Sequence, residues 1–124
     1  MKIKLPVSTL PKIWIFDLDG TLVKHNGYLM EGDTLLPGVK EFFEKIPETD
    51  FIIILTSRSE EYREITENFL KENGIRYNVI LFDLPQGERI LINDVKPSGL
   101  LTAYAINKER DSELELEVLR ITEL

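Results

Sequence analysis

Two stretches of the chain are apolar at every position rather than at alternate ones: Ile13-Trp14-Ile15-Phe16 and Phe51-Ile52-Ile53-Ile54-Leu55. A strand with one wet face alternates, so an unbroken apolar run reads as a strand covered on both faces, as in a parallel sheet. Val79-Ile80-Leu81-Phe82 and Ile90-Leu91-Ile92 extend the series, with Leu101 to Ile106 a weaker fifth member. Between the first two runs, Val39, Phe42, Phe43 and Ile46 fall at i, i+3, i+4 and i+7, bracketed by Pro37 and Pro47. That spacing predicts an amphipathic helix. A second helix is predicted from Ser59 to Asn73, with Tyr62, Ile65, Phe69 and Leu70 on one side and Gly74 as its left-handed C-terminal cap. Strands alternating with helices predict an α/β fold with a mostly parallel sheet.

Near the C-terminus, Leu114, Leu116 and Val118 alternate like a strand, while Ser112 followed by Glu115 has the form of a helix capping box. The capping box leads us to expect a helix, which either completes the core or contacts another copy in a homo-oligomer.

At 124 residues the chain is expected to be one domain, residues 1–124. Its 43% hydrophobic and 30% charged content is that of a globular protein. With 15 Lys and Arg against 22 Asp and Glu the formal charge is −7, which disfavours nucleic acid as a partner. The absence of cysteine excludes disulfides, thiolate metal sites and a cysteine nucleophile. No apolar run reaches the length of a membrane span, so no membrane association and a cytoplasmic location are expected.

The chemistry concentrates in Asp17-Leu18-Asp19-Gly20-Thr21, which follows the first apolar run without a gap. Ligands of open parallel sheets collect beyond the carboxyl ends of the strands. Alternation places Asp17 and Asp19 on one side of the extended chain, about 6 to 7 Å apart. Two such carboxylates repel unless a proton or cation is shared, and a hard divalent ion, magnesium by default, suits an all-oxygen site. Taken alone, the pattern also fits a strand end followed by a solvated turn.

The stretch resembles the haloacid dehalogenase-like superfamily, whose phosphatases carry Asp-x-Asp-Gly-Thr after the first strand of a doubly wound sheet. Two further motifs match in order: Thr56-Ser57-Arg58 after the second strand and Asn93-Asp94 after a later one. The resemblance implies a doubly wound sheet with helices on both faces and a Mg²⁺-dependent phosphatase. Asp17 would be the nucleophile that becomes an aspartyl phosphate, and Asp19 the general acid and base. Thr56 and Ser57 would bind the phosphate, and Asp94, with Asn93, Asp17 and Asp19, would hold Mg²⁺. Dehalogenases of the superfamily lack an acid at the position of Asp19, which favours phosphoryl transfer.

One element departs. The superfamily's charge-balancing lysine often stands in a Lys-Pro before the last motif, where this chain has Leu84-Pro85. If Arg89 opens the strand ending at Asn93, it lies roughly 13 Å from the catalytic edge. Lys96, beyond Asp94, is the preferred substitute as a phosphate ligand, ahead of Lys71. His25 reads as an exposed turn residue, Arg58 as a substrate ligand or a helix-surface residue, and Glu60, Glu61, Glu64 and Glu67 as a solvated face.

Neither Thr21 to Pro37 nor Thr56 to Asn93 can hold a folded cap domain. The site should therefore be open, covered only by the loop from Lys24 to Asp33, and suited to a large or sugar-linked phosphorylated substrate. A non-catalytic or regulatory domain that binds metal or a phosphorylated partner is the alternative from a different class. A receiver domain fits less well, because Asp17 and Asp19 are not adjacent, and a dinucleotide site lacks its glycine fingerprint.

Overall fold

The computed structural model describes residues 2–122. Strand β1 (Ile3–Val7) is followed by β2 (Ile13–Asp17), helix α1 (Val39–Glu44), β3 (Phe51–Leu55), α2 (Arg63–Glu72), β4 (Val79–Leu81) and β5 (Leu116–Arg120). Among the described residues the strands pair in parallel, in a three-stranded sheet ordered β2-β3-β4 and a two-stranded sheet β1-β5. The mixed α/β architecture with parallel sheets is the one predicted, and β2, β3, β4 and both helices occupy the predicted segments. No helix among the described residues is long and apolar enough to cross a membrane.

The register Phe16↔Ile54 and Trp14↔Ile52 aligns one face of the sheet, and Ile54↔Ile80 continues it onto β4. That face is buried in one cluster with Val39, Phe42 and Phe43 of α1 and Leu70 of α2. Aromatic rings lock α1 to β2: Phe16 and Phe43 lie 4.7 Å apart, and Trp14 meets Phe42 edge-on at 5.5 Å. Each such pair adds about 0.5–1.5 kcal/mol to the area it buries. Asp50, itself buried, accepts from the Trp14 indole N–H at 2.9 Å and the Lys12 amide at 3.0 Å, and so joins the start of β2 to that of β3.

The opposite face corrects the expectation of helices on both sides. Ile13, Ile15, Phe51, Val79 and Leu81 are exposed, and both helices pack into the same cluster. The strand order β2-β3-β4 contains no reversal, and successive right-handed crossovers in one direction place their helices on one side. The unbroken apolar runs marked the strands correctly but overstated their cover.

Two other expectations are corrected. Ile90 to Ile92 and Leu101 to Ile106 form no strand; Ile90 is 85% and Ile92 90% exposed. Apolarity cannot make a strand without a neighbouring backbone to bond, and neither run pairs with one in the structure. The C-terminal segment is a strand rather than a helix: Leu116 pairs with Ile3, and Leu114, Leu116 and Val118 pack on the core with period two. Ser112, the supposed cap, instead donates its hydroxyl to the Glu109 carbonyl at 2.7 Å, closing a turn. In α2 the buried positions are Thr66 and Leu70, while Ile65 is exposed. Gly74 has φ +70°, the left-handed cap expected of it.

Candidate functional site

Asp17 is the last residue of β2, opposite Leu55 of β3. The chain then folds back sharply: the Leu18 carbonyl accepts from the amides of Leu22 and Val23, and the Gly20 amide donates to the Val23 carbonyl at 2.7 Å. Leu18, Leu22 and Val23 are fully buried and anchor this loop. Gly20 has φ +86°, a backbone conformation that a residue with a Cβ adopts only with strain. The buried leucine between them leaves the Asp17 and Asp19 carboxylates at the loop surface, 37% and 16% exposed.

Both oxygens of each carboxylate are engaged. The Thr21 hydroxyl donates to Asp17 Oδ2 at 2.8 Å, and Arg89 Nη1 donates to Oδ1 at 3.1 Å. Arg58 grips Asp19 through Nη2 to Oδ1 at 2.9 Å and Nε to Oδ2 at 3.1 Å. The same guanidinium donates to both oxygens of buried Asp33, at 2.7 and 3.1 Å, and to the Thr66 hydroxyl at 2.7 Å. It also lies 3.9 Å from the centroid of the Tyr28 ring. Burial alone would lower the Arg58 pKa, but its bonds to Asp19 and Asp33 outweigh that and raise it. Burial, with the nearby Asp19, likewise raises the Tyr28 hydroxyl.

The predicted site residues separate into two groups. Asp17 and Asp19 stand together at the end of β2. Thr56 directly follows β3 and is buried, and its hydroxyl accepts from the Arg58 amide at 3.0 Å, so it shapes the turn that delivers Arg58. Ser57 beside it is exposed. Asn93, Asp94 and Lys96 lie in the irregular exposed segment after β4. There the Asn93 amide donates to the Thr102 hydroxyl at 2.8 Å, Thr102 donates to the Asp94 carbonyl, and Lys96 closes a turn with Gly99. Among the described residues no three acidic or histidine side chains gather into a metal-binding group. The expected magnesium ligands Asp17, Asp19, Asn93 and Asp94 therefore do not fit that ion as arranged, with the first two carboxylates already bonded to arginines.

Sequence reasoning misplaced two arginines. Arg89 reaches Asp17 directly because its segment is not a strand, so the 13 Å separation drawn from strand geometry does not apply. Arg58 is neither on a helix surface nor free for a ligand: its side chain is 1% exposed and fully paired. Asp33, its second partner, stands 25 residues away in the loop predicted to cover the site, and no local pattern links the two. His25 is half-buried rather than an exposed turn residue, with Nδ1 buried and unpartnered, and its amide donates to Asp111 Oδ1 at 2.7 Å.

No protein-family model and no curated protein matches the chain. Chains in two solved structures are similar to it: one in the Pnkp1/Rnl/Hen1 complex, at 31% identity over 66% of this chain, and one in the Pnkp1/Rnl/Hen1 RNA repair complex, at 33% over 67%. Each superposes with a TM-score of 0.51, and the match covers 31% and 29% of those chains. The chain thus spans less than a third of the length of the proteins it matches.

Proposed function

We propose that the chain is a phosphatase domain of the haloacid dehalogenase-like type, acting on the terminal phosphate of an RNA strand. The observation that carries the chemistry is Asp17 at the carboxyl end of a parallel strand, oriented by the Thr21 hydroxyl and met by a cation, Arg89, on its other oxygen. The similarity to chains of an RNA repair complex supports the substrate class, since rejoining broken strands requires that their terminal phosphates be processed. The net charge of −7 disfavours a long nucleic-acid interface, but an enzyme of strand ends needs to hold only one or two phosphates.

In this reading an Asp17 carboxylate oxygen attacks phosphorus in line, the bond from phosphorus to the ester oxygen breaks, and Asp19 gives that oxygen a proton. Asp19 then takes a proton from the water that releases phosphate from Asp17. Arg89 offsets the charge gathered between carboxylate and phosphate. No step in this reading passes through a metal, since Asp17 and Asp19 are already bonded to arginines. The test is hydrolysis of an aryl phosphate and of a phosphate-ended oligoribonucleotide, with and without Mg²⁺. Turnover abolished by Asp17→Asn supports the reading, and turnover undiminished by it defeats it.

One observation favours a second reading, a non-catalytic domain that binds a phosphorylated partner. Arg58 occupies both oxygens of Asp19, which leaves neither turned toward a substrate's ester oxygen. A trapped acyl phosphate on Asp17 would exclude this reading.

A further inference from the structure

A tight turn from the segment after β4 lies across the catalytic loop. The Ser112 amide donates to the Glu109 carbonyl at 3.2 Å, which places Arg110 and Asp111 at the tip of the turn. The Asp111 amide donates to the Gly20 carbonyl at 2.9 Å, and its side chain accepts the His25 amide at 2.7 Å. Asp111 has φ +60°, a left-handed conformation strained for a non-glycine residue, which these bonds sustain. The turn is thus pinned to both the catalytic loop and the loop that follows it.

This pinning lays the aliphatic stem of Arg110 on Gly20. A Cβ at Gly20 would stand 3.1 Å from Arg110 Cγ and 3.8 Å from its Cδ, so the close approach uses the missing side chain. The residue is otherwise exposed, and among the described residues its guanidinium has no carboxylate or carbonyl partner. Arg58, Arg63, Arg76 and Arg89 are each bonded to one, while Arg120 on β5 is, like Arg110, without one among the described residues. Arg110 differs from Arg120 in resting its stem on the loop that carries Asp17 and Asp19, where a free guanidinium is available to a bound anion. Guanidinium groups pair bidentately with phosphate, and a stem held in place loses little further freedom in doing so.

We propose that Arg110 binds a second phosphate of the substrate, adjacent to the one attacked at Asp17, so that esters carrying two phosphates are preferred over those carrying one. Arg89 already serves the reacting group, whereas Arg110 stands on Gly20, three residues further along the chain. The inference rests on the phosphatase reading of Asp17 for the word "adjacent", but not for the anion site itself.

The test compares the wild type with Arg110→Gln, which keeps the stem over Gly20, and Arg110→Lys, which keeps the charge. The substrates are a dinucleotide with a terminal phosphate and a simple aryl phosphate. Arg110→Gln should raise KM for the dinucleotide tenfold or more with kcat little changed, the ratio of kcat/KM between the two esters falling by a similar factor, and Arg110→Lys should restore part of it. Equal losses on both esters, or no loss on either, would overturn the proposal. A wild type that hydrolyses neither ester defeats the phosphatase reading instead, and Arg110 is then judged by fluorescence anisotropy with a labelled phosphate-ended dinucleotide. There a tenfold weaker Kd in Arg110→Gln upholds the anion site, and equal affinities reject it.

Discussion

Arg58 and Asp19 are joined by two parallel hydrogen bonds of 2.9 and 3.1 Å, and the guanidinium that makes them also holds Asp33 at 2.7 Å. One buried cation therefore ties the loop after β2 to the loop that follows it and, through Thr66, to α2.

Arg58→Met should be among the most damaging single substitutions in the chain. It removes the shared partner of two carboxylates, of which Asp33 is only 3% exposed. Breaking a buried ion pair by deleting one member costs about 3–5 kcal/mol. Urea denaturation should show a loss of that size, and a loss below about 1 kcal/mol would mean that the pair contributes little net stability.

Asp17→Asn should separate function from folding. The Arg89–Asp17 pair is 44% and 37% exposed on its two sides, and pairs of that kind are worth about 0–1 kcal/mol. We expect hydrolysis to vanish while the urea midpoint moves little. A large fall in stability would make Asp17 a structural residue first.

The sequence was legible where chemistry is local and opaque where it is not. Strands β2, β3 and β4 follow from unbroken apolar runs, and the helices from their spacing. Asp17 and Asp19 follow from a motif only five residues long. The cover of the sheet was not legible, because apolarity states a preference for burial without naming the segment that provides it; Ile90 to Ile92 remain exposed despite theirs. Strand β1 escaped notice although Ile3-Lys4-Leu5 alternates, since so short a pattern is common. The partners of Arg58 and Arg89 lie 39 and 72 residues away, and no local pattern encodes such a contact.

Gly38→Ala should destabilise the fold more than an ordinary glycine substitution. Gly38 caps the N-terminus of α1 with φ +84°, and a Cβ there would stand 2.5 Å from the Leu114 carbonyl oxygen. The obstacle is backbone that is itself held, because the Leu114 amide donates to the Pro37 carbonyl at 2.9 Å. Strain from the positive φ and overpacking together should cost about 2–4 kcal/mol in urea unfolding. A stability change under about 0.5 kcal/mol would show that the C-terminal segment does not pack against α1 as described.

Tyr77 should make stability fall at high pH. Its hydroxyl donates to Glu67 Oε1 at 3.0 Å, and burial, reinforced by that carboxylate, pushes its pKa up to about 12 from the ordinary 10. The folded state thus favours the neutral phenol. Below the unfolded value of 10 both states hold the proton and the hydrogen bond contributes fully. Between 10 and about 12 the unfolded chain loses its proton while the folded one keeps it, so deprotonation favours unfolding progressively more. Above about 12 the folded phenol ionises as well, the repulsion from Glu67 sets in, and the contribution is gone. Urea midpoints taken from pH 9 upward should therefore decline in the wild type, and the part of that decline due to Tyr77 should be missing in Tyr77→Phe. Parallel declines in the two proteins would show that another group sets the slope.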